Sequence, residues 1–132
     1  MTALDPHTLD ALTRARYVSL TTYRKDGTPV ATPVWHVMDG GLLYVWTEAG
    51  SWKVKRLRRD PRVKVVVCDV RGRIAPGAAD AEGTGRVLDE EGREKVRRLL
   101  VRKYLMARLG DWYASLTGRR RRNPIAAIEI RF

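Results

Sequence analysis

Three runs rich in β-branched and aromatic residues, separated by two short turn signals, constrain this chain most. Tyr17 to Tyr23 is followed by Arg24-Lys25-Asp26-Gly27-Thr28, Pro29 to Met38 by Asp39-Gly40-Gly41, and then comes Leu42-Leu43-Tyr44-Val45-Trp46-Thr47. Such runs favour a pleated backbone, and glycine between them supplies tight-turn geometry, so the spacing predicts a three-stranded antiparallel meander.

The flanking segments fit around that meander. Asp5 is placed to cap a helix with Pro6 at its first position and Leu4 and Leu9 as a hydrophobic staple, ending near Arg16. After the loop Glu48-Ala49-Gly50, Ser51 is the expected N-cap of a short helix from Trp52 to Arg59, which Asp60-Pro61 stops. Val63 to Asp69 reads as a buried strand and Arg71 to Asp80 as a loop. Ala81 to Leu88 reads as a fifth strand in which Gly83 and Gly85 suggest a bulge. Asp89 opens a long amphipathic helix to about Leu109, with Val96, Leu99, Leu100, Tyr104, Leu105 and Met106 near one face. A basic irregular stretch ending in Arg119 to Arg122 precedes a last strand from Pro124 to Phe132. Six strands with few helices between them predict a mainly β chain. The expected form is an antiparallel sheet closed or nearly closed into a small barrel, with helices outside, in a single domain over 1–132.

Composition narrows the function classes. A chain of 132 residues that is 44% hydrophobic can bury one core without staples. Its one cysteine, Cys68, excludes a disulfide scaffold and reads as a small buried thiol; no metal-ligand cluster is visible. No apolar stretch reaches the ~20 residues of a membrane helix, and no signal-peptide pattern opens the chain, so a cytoplasmic location without membrane partners is expected. The net charge of +11 favours polyanions: nucleic acid, anionic lipid, or a phosphorylated or carboxylated small molecule.

The segment with most chemistry is Thr47-Glu-Ala-Gly-Ser51-Trp52-Lys53-Val-Lys55-Arg56, a strand end, a Gly-containing loop and a helix start. Unpaired N–H groups at such a start, with the Thr47 and Ser51 hydroxyls and the Lys53 ammonium, form a cradle for phosphate. An ordinary capped surface helix is the alternative, and the Gly-x4-Gly-Lys spacing of a P-loop is absent. Trp35, Trp46 and Trp52 can surround one cleft or simply fill core. His36 shares a strand face with Val34 and Met38, which suits a structural histidine better than an acid-base group. No nucleophile motif appears.

Together these residues resemble the flavin and deazaflavin oxidoreductases of the pyridoxamine 5′-phosphate oxidase-like superfamily, with their split β-barrel. The resemblance rests on Tyr17-Val-Ser-Leu-Thr-Thr-Tyr-Arg-Lys-Asp-Gly-Thr-Pro29, Thr32-Pro-Val-Trp35, Leu43-Tyr-Val-Trp-Thr47 and Ser51-Trp-Lys-Val-Lys-Arg-Leu-Arg-Arg-Asp-Pro-Arg-Val63. Cys68-Asp-Val-Arg-Gly72, Glu82-Gly-Thr-Gly-Arg-Val-Leu88, Arg102-Lys-Tyr104 and Ile128-Glu-Ile130 add to it. The short members predicted to use coenzyme F-420 are the most similar.

The resemblance implies a homodimer with cofactor sites in grooves between subunits. It places phosphate on Lys53 with Ser51 and Thr47 beside it, and the ring system along Pro33, Val34, Trp35 and Trp46, near Trp52. Arg71 is expected to reach the cofactor tail. Trp52 and His36 depart from the usual pattern, which has a small residue and an apolar one there. Coenzyme F-420, with a phosphodiester and an oligoglutamate tail, suits the Lys/Arg excess better than FMN, which is the alternative. The expected activity is hydride transfer to or from a small conjugated substrate, with no catalytic residue assigned. A carrier without turnover and a nucleic-acid-binding barrel are the competing readings.

Overall fold

Asp5 caps α1 (Pro6–Arg14): its Oδ1 accepts a hydrogen bond from the Thr8 amide at 2.7 Å, and Pro6 occupies the first turn. The computed structural model describes residues 4–106 and 124–132, apart from the side chains of 105 and 106. The three expected strands are β1 (Tyr17–Tyr23), β2 (Pro29–Asp39) and β3 (Leu42–Glu48), followed by α2 (Trp52–Arg59). Then come β4 (Arg62–Cys68), β5 (Asp80–Val87), α3 (Glu90–Met106) and β6 (Ile125–Arg131). All neighbouring strands run antiparallel, and the sheet closes in the order β1-β2-β3-β6-β5-β4.

Closure buries one face of every strand. Val18 and Leu20 of β1, Val34 of β2, Leu43 and Val45 of β3, Val63 and Val65 of β4, and Ala126, Ile128 and Ile130 of β6 fill the interior. Leu12 of α1 and Val54 and Leu57 of α2 join the same cluster, so the two short helices complete the barrel's core. The period of two leaves Val37, Tyr44, Trp46 and Ala127 outside, where Val96, Leu100 and Tyr104 of α3 cover them in a second cluster. Asp89 caps that helix by accepting from the Gly92 amide at 2.9 Å.

Three local expectations need correction. The register of β5 is continuous against both neighbours, with Thr84 paired to Arg62 on one side and Arg131 on the other, so there is no bulge. The glycines answer close approach instead: a Cβ on Gly83 would stand 2.2 Å from the Arg131 carbonyl oxygen, and one on Gly85 would crowd Ile128, Leu57 and Val63. Ser51 occupies the N-cap position of α2, yet its side chain makes no cap hydrogen bond. Cys68 is half-buried rather than enclosed, because β4 ends there. The long helix is described to Met106; its expected end near Leu109 and the Arg119–Arg122 run lie outside the described residues.

His36 lies on the interior face with Val34, as the alternation predicts, and is fully buried. Its Nε2 stands 2.7 Å from the Leu12 carbonyl oxygen, which assigns the ring proton to Nε2 and ties α1 to β2. Nδ1 is buried with no partner among the described residues. Burial and the nearby Lys103 ammonium push the imidazole down to about 3. No helix among the described residues is long and apolar enough to cross a membrane.

Candidate functional site

The outward face of β1, β2 and β3 carries a row of rings. Tyr17 stands opposite Trp35, and Trp35 opposite Trp46, so three aromatic side chains line up across three adjacent strands. Next in the row is Ala127 of β6, which is buried with Trp46 in the cluster under α3. The row forms one wall of a cavity of about 390 Å³, lined also by Pro33, Val34, Thr47, Glu48, Ser51, Lys53, Val70 and Ile125.

Part of the cavity lining is polar because β3 runs straight into the start of α2. Ser51 N–H donates to the Glu48 carbonyl at 3.1 Å, closing the turn that brings Thr47, Glu48, Ser51 and Lys53 together. The Ser51 hydroxyl oxygen is buried with no partner among the described residues, although the residue lines the cavity. An uncapped helix start, an unused hydroxyl and an ammonium therefore converge, which is the donor set an anion needs. Lys53 is half-buried, and desolvation lowers its pKa against the opposing pull of Glu48, with Arg56 adding to the fall.

The third wall is the turn after β4. Asp69 Oδ1 accepts from the Arg71 and Arg73 amides, both at 2.9 Å, and Gly72 adopts a φ of +84°. Any Cβ on Gly72 would lie 3.4 Å from the Pro33 ring, so glycine serves both the backbone conformation and the approach to β2. This turn presents Val70 to the cavity; Val70 is 60% exposed and Ile74, further along, 50%.

Of the nine residues expected to bind cofactor, the structure gathers seven around this cavity: Pro33, Val34, Trp35, Trp46, Thr47, Ser51 and Lys53. Trp52 and Arg71 are not among the lining residues. Trp52 is 68% exposed, with the Lys55 ammonium 4.5 Å from its ring centre, because Val54 and Leu57 commit the buried side of α2 to the barrel. Arg71 is exposed in the Asp69 turn. Tyr17, Glu48, Val70 and Ile125 also line the cavity and were not anticipated. Glu48 follows from the same strand-to-helix turn as Thr47 and Ser51, whereas only the cross-strand register identifies Tyr17, beside Trp35, and Ile125, beside Glu48.

Cys68 is not among the described residues that line the cavity. Burial and the Asp69 carboxylate push the Cys68 thiol up, away from thiolate. No group of three or more His, Cys, Asp or Glu among the described residues is arranged to hold a metal.

Comparison with known proteins places this geometry. The sequence profile of the pyridoxamine 5′-phosphate oxidase family matches residues 4–132. The chain belongs to this family. The family's barrel recurs in the conserved protein Rv2991 of Mycobacterium tuberculosis, 22% identical with a TM-score of 0.71 over 98% of this chain and 81% of that one. A FAD-binding protein of Mesorhizobium loti is 21% identical, with a TM-score of 0.65 over 96% and 88% of the two chains. The heme storage protein HutZ of Vibrio cholerae is 14% identical, with a TM-score of 0.65 over 98% and 90%. At these identities the likeness is one of fold. No curated protein matches the sequence. Within the family, this chain combines the six-stranded barrel with an aromatic wall and a cationic helix start on one cavity.

Proposed function

We propose that this cavity binds a flavin-type cofactor, coenzyme F-420 in first place and FMN in second, and that the protein is an oxidoreductase acting on a small conjugated substrate. The observation that carries the reading is the pairing of a flat aromatic wall, Tyr17-Trp35-Trp46, with an unused anion cradle, Ser51-Lys53-Thr47, in one cavity. A tricyclic ring needs the first, and the phosphate of its side chain needs the second. The FAD-binding relative supports the same ligand class.

The bound cofactor would supply hydride transfer; the chain's own residues orient and enclose it. Trp46 and Val34 are buried and set a rigid floor, whereas Pro33 and Val70 are exposed and leave one side open to substrate. Lys53 would fix the phosphate and so the distance of the ring from the open side. A second copy of the chain would border that side and leave an entrance for substrate: Val70 and Pro33 are apolar and exposed at the cavity, and Ile74 is exposed further along the same loop, which suits a homodimer with sites shared between subunits.

Titration of the purified protein with F-420 and with FMN, followed by cofactor absorbance and fluorescence, tests the reading. Saturable one-per-chain binding of either supports it, and turnover with added acceptors separates an oxidoreductase from a carrier. Failure of both to bind folded protein overturns it.

A further inference from the structure

β2 and β3 part at the cavity. They stay paired from Asp39 with Leu42 to Trp35 with Trp46; beyond that, β2 continues against β1 alone and β3 against β6. The cavity occupies the fork, with Pro33, Val34 and Trp35 on one arm and Trp46, Thr47 and Glu48 on the other. Which backbone groups of β2 look into the fork follows from the ladder. The Arg24 amide donates to the Thr28 carbonyl at 2.9 Å, so the next pair along, Tyr23 with Pro29, is a non-hydrogen-bonded one. The alternation repeats that state at Thr21 with Ala31, Ser19 with Pro33 and Tyr17 with Trp35. Val34, opposite Val18, thus spends its amide and carbonyl on β1, and Trp35 turns its own toward Trp46. Pro33 faces the fork with a carbonyl and has no N–H. Beyond Trp35, the β2 backbone that lines the cavity therefore offers the fork an acceptor and no donor.

Blunting a bare strand edge accounts for Pro29 and Pro33 alike, since neither can pair with a further strand. Pro33 differs in lining the cavity, and it is exposed on the side left open to substrate. Flavins and 5-deazaflavins both exchange hydride at position 5 of the ring, so that position must lie on the open side, beside Pro33. There the two rings differ. An oxidised flavin has a nitrogen whose in-plane lone pair accepts a hydrogen bond; a 5-deazaflavin has a C–H, which needs no donor and tolerates a carbonyl nearby. Resting on the cofactor reading above, we infer that Pro33 selects the ring, favouring a 5-deazaflavin over a flavin because it withholds an amide where position 5 lies. An acceptor left without a partner inside a site weakens binding, and the Pro33 carbonyl adds repulsion. The Asp69 turn, whose Gly72 approaches the Pro33 ring closely, holds this edge in place.

FMN and 5-deaza-FMN differ only at position 5 and isolate the effect. Dissociation constants for both oxidised forms are measured by fluorescence titration or, where binding is weak, by displacement of bound F-420, in the wild type, Pro33→Ala, Pro33→Val and Pro29→Ala. The wild type should hold 5-deaza-FMN ~10-fold more tightly than FMN. Either Pro33 substitution restores an amide and should bring the two constants together, with Pro33→Val keeping more of the bulk that faces Gly72. Changes in packing shift both constants alike and cancel in their ratio. Pro29→Ala, on the same edge but not among the lining residues, should keep the wild-type ratio. Equal wild-type affinities, a ratio that neither folded Pro33 variant moves, or the same change with Pro29→Ala overturns the inference and leaves the cofactor reading intact. Should neither Pro33 variant fold, the wild-type ratio alone decides. Binding of F-420 with refusal of both FMN and 5-deaza-FMN places selection in the side chain of the cofactor rather than its ring, and also overturns it. Absence of binding by all three ligands to the folded wild type overturns the cofactor reading as well.

Discussion

Trp35 and Trp46 face each other directly across β2 and β3, and both line the cavity, though Trp46 is buried and Trp35 only partly. The pair therefore divides its work. Trp46 packs against the α3 cluster, so Trp46→Ala should cost about 3–5 kcal/mol of stability, as for other buried tryptophans, whereas Trp35→Ala should cost less and weaken cofactor binding more. Denaturant unfolding together with flavin titration checks this; the opposite order would mean that Trp35 is the structural ring.

Lys53→Ala should weaken binding of a phosphorylated flavin by about 1.5–3 kcal/mol, the loss of one charge-assisted hydrogen bond, and leave riboflavin binding nearly unchanged. Trp52→Ala, one residue away but exposed, should change neither by more than about 0.5 kcal/mol. Isothermal titration calorimetry on the two variants separates them. Equal losses at both positions would move the phosphate off the helix start.

His36 makes the fold acid-sensitive. Its folded pKa, about 3, lies below the usual value of 6.5, so between those values the unfolded chain binds the proton and the folded chain does not. Its contribution to stability is thus complete above about pH 6.5 and falls by ~1.4 kcal/mol per pH unit below it, until about pH 3. Lys103, 3.5 Å from Nε2 and hydrogen-bonded to the Ala15 and His36 carbonyls, stays positive over that range and opposes protonation. Urea unfolding at pH 7, 6 and 5 should show this slope in the wild type and lose it in His36→Gln.

Gly83→Ala should destabilise the barrel by about 3 kcal/mol, because the new methyl group meets the Arg131 carbonyl oxygen of the paired strand rather than a movable side chain. Thermal unfolding measures it. A change within 0.5 kcal/mol would show that β5 and β6 can separate at little cost.

Light scattering at micromolar concentration should give twice the 15.0 kDa chain mass, and Val70→Asp with Ile74→Asp should return the monomer mass. A wild-type monomer would leave the open side of the cavity unshared.

Much of the fold was legible locally. Asp5-Pro6 announces α1, the turns around Gly27 and Gly40-Gly41 separate β1, β2 and β3, and Ser51 with Asp60-Pro61 brackets α2 to the residue. Short-range chemistry decides these features, so a short window of sequence contains their causes. Lys53, Thr47 and Ser51 were legible for the same reason: a strand ending at Glu48 and a helix starting at Trp52 must bring them together.

The sequence by itself determined the strands, the inward alternation of Val34 and His36, the donor-rich helix start and the family resemblance. Tertiary structure alone decided register, and register decided the wall: Tyr17 joins Trp35 and Trp46 only because β1 and β3 pair with β2 at particular offsets. It also turned Trp52 outward, since one face of a two-turn helix holds Val54 and Leu57 against the barrel and leaves the remaining ring to solvent. Ile125 and Val70 entered the cavity through contacts between elements distant in sequence, β6 with β3 and the Asp69 turn over β2. Backbone hydrogen bonds can form at many offsets with nearly equal energy, and only packing of the closed core selects one.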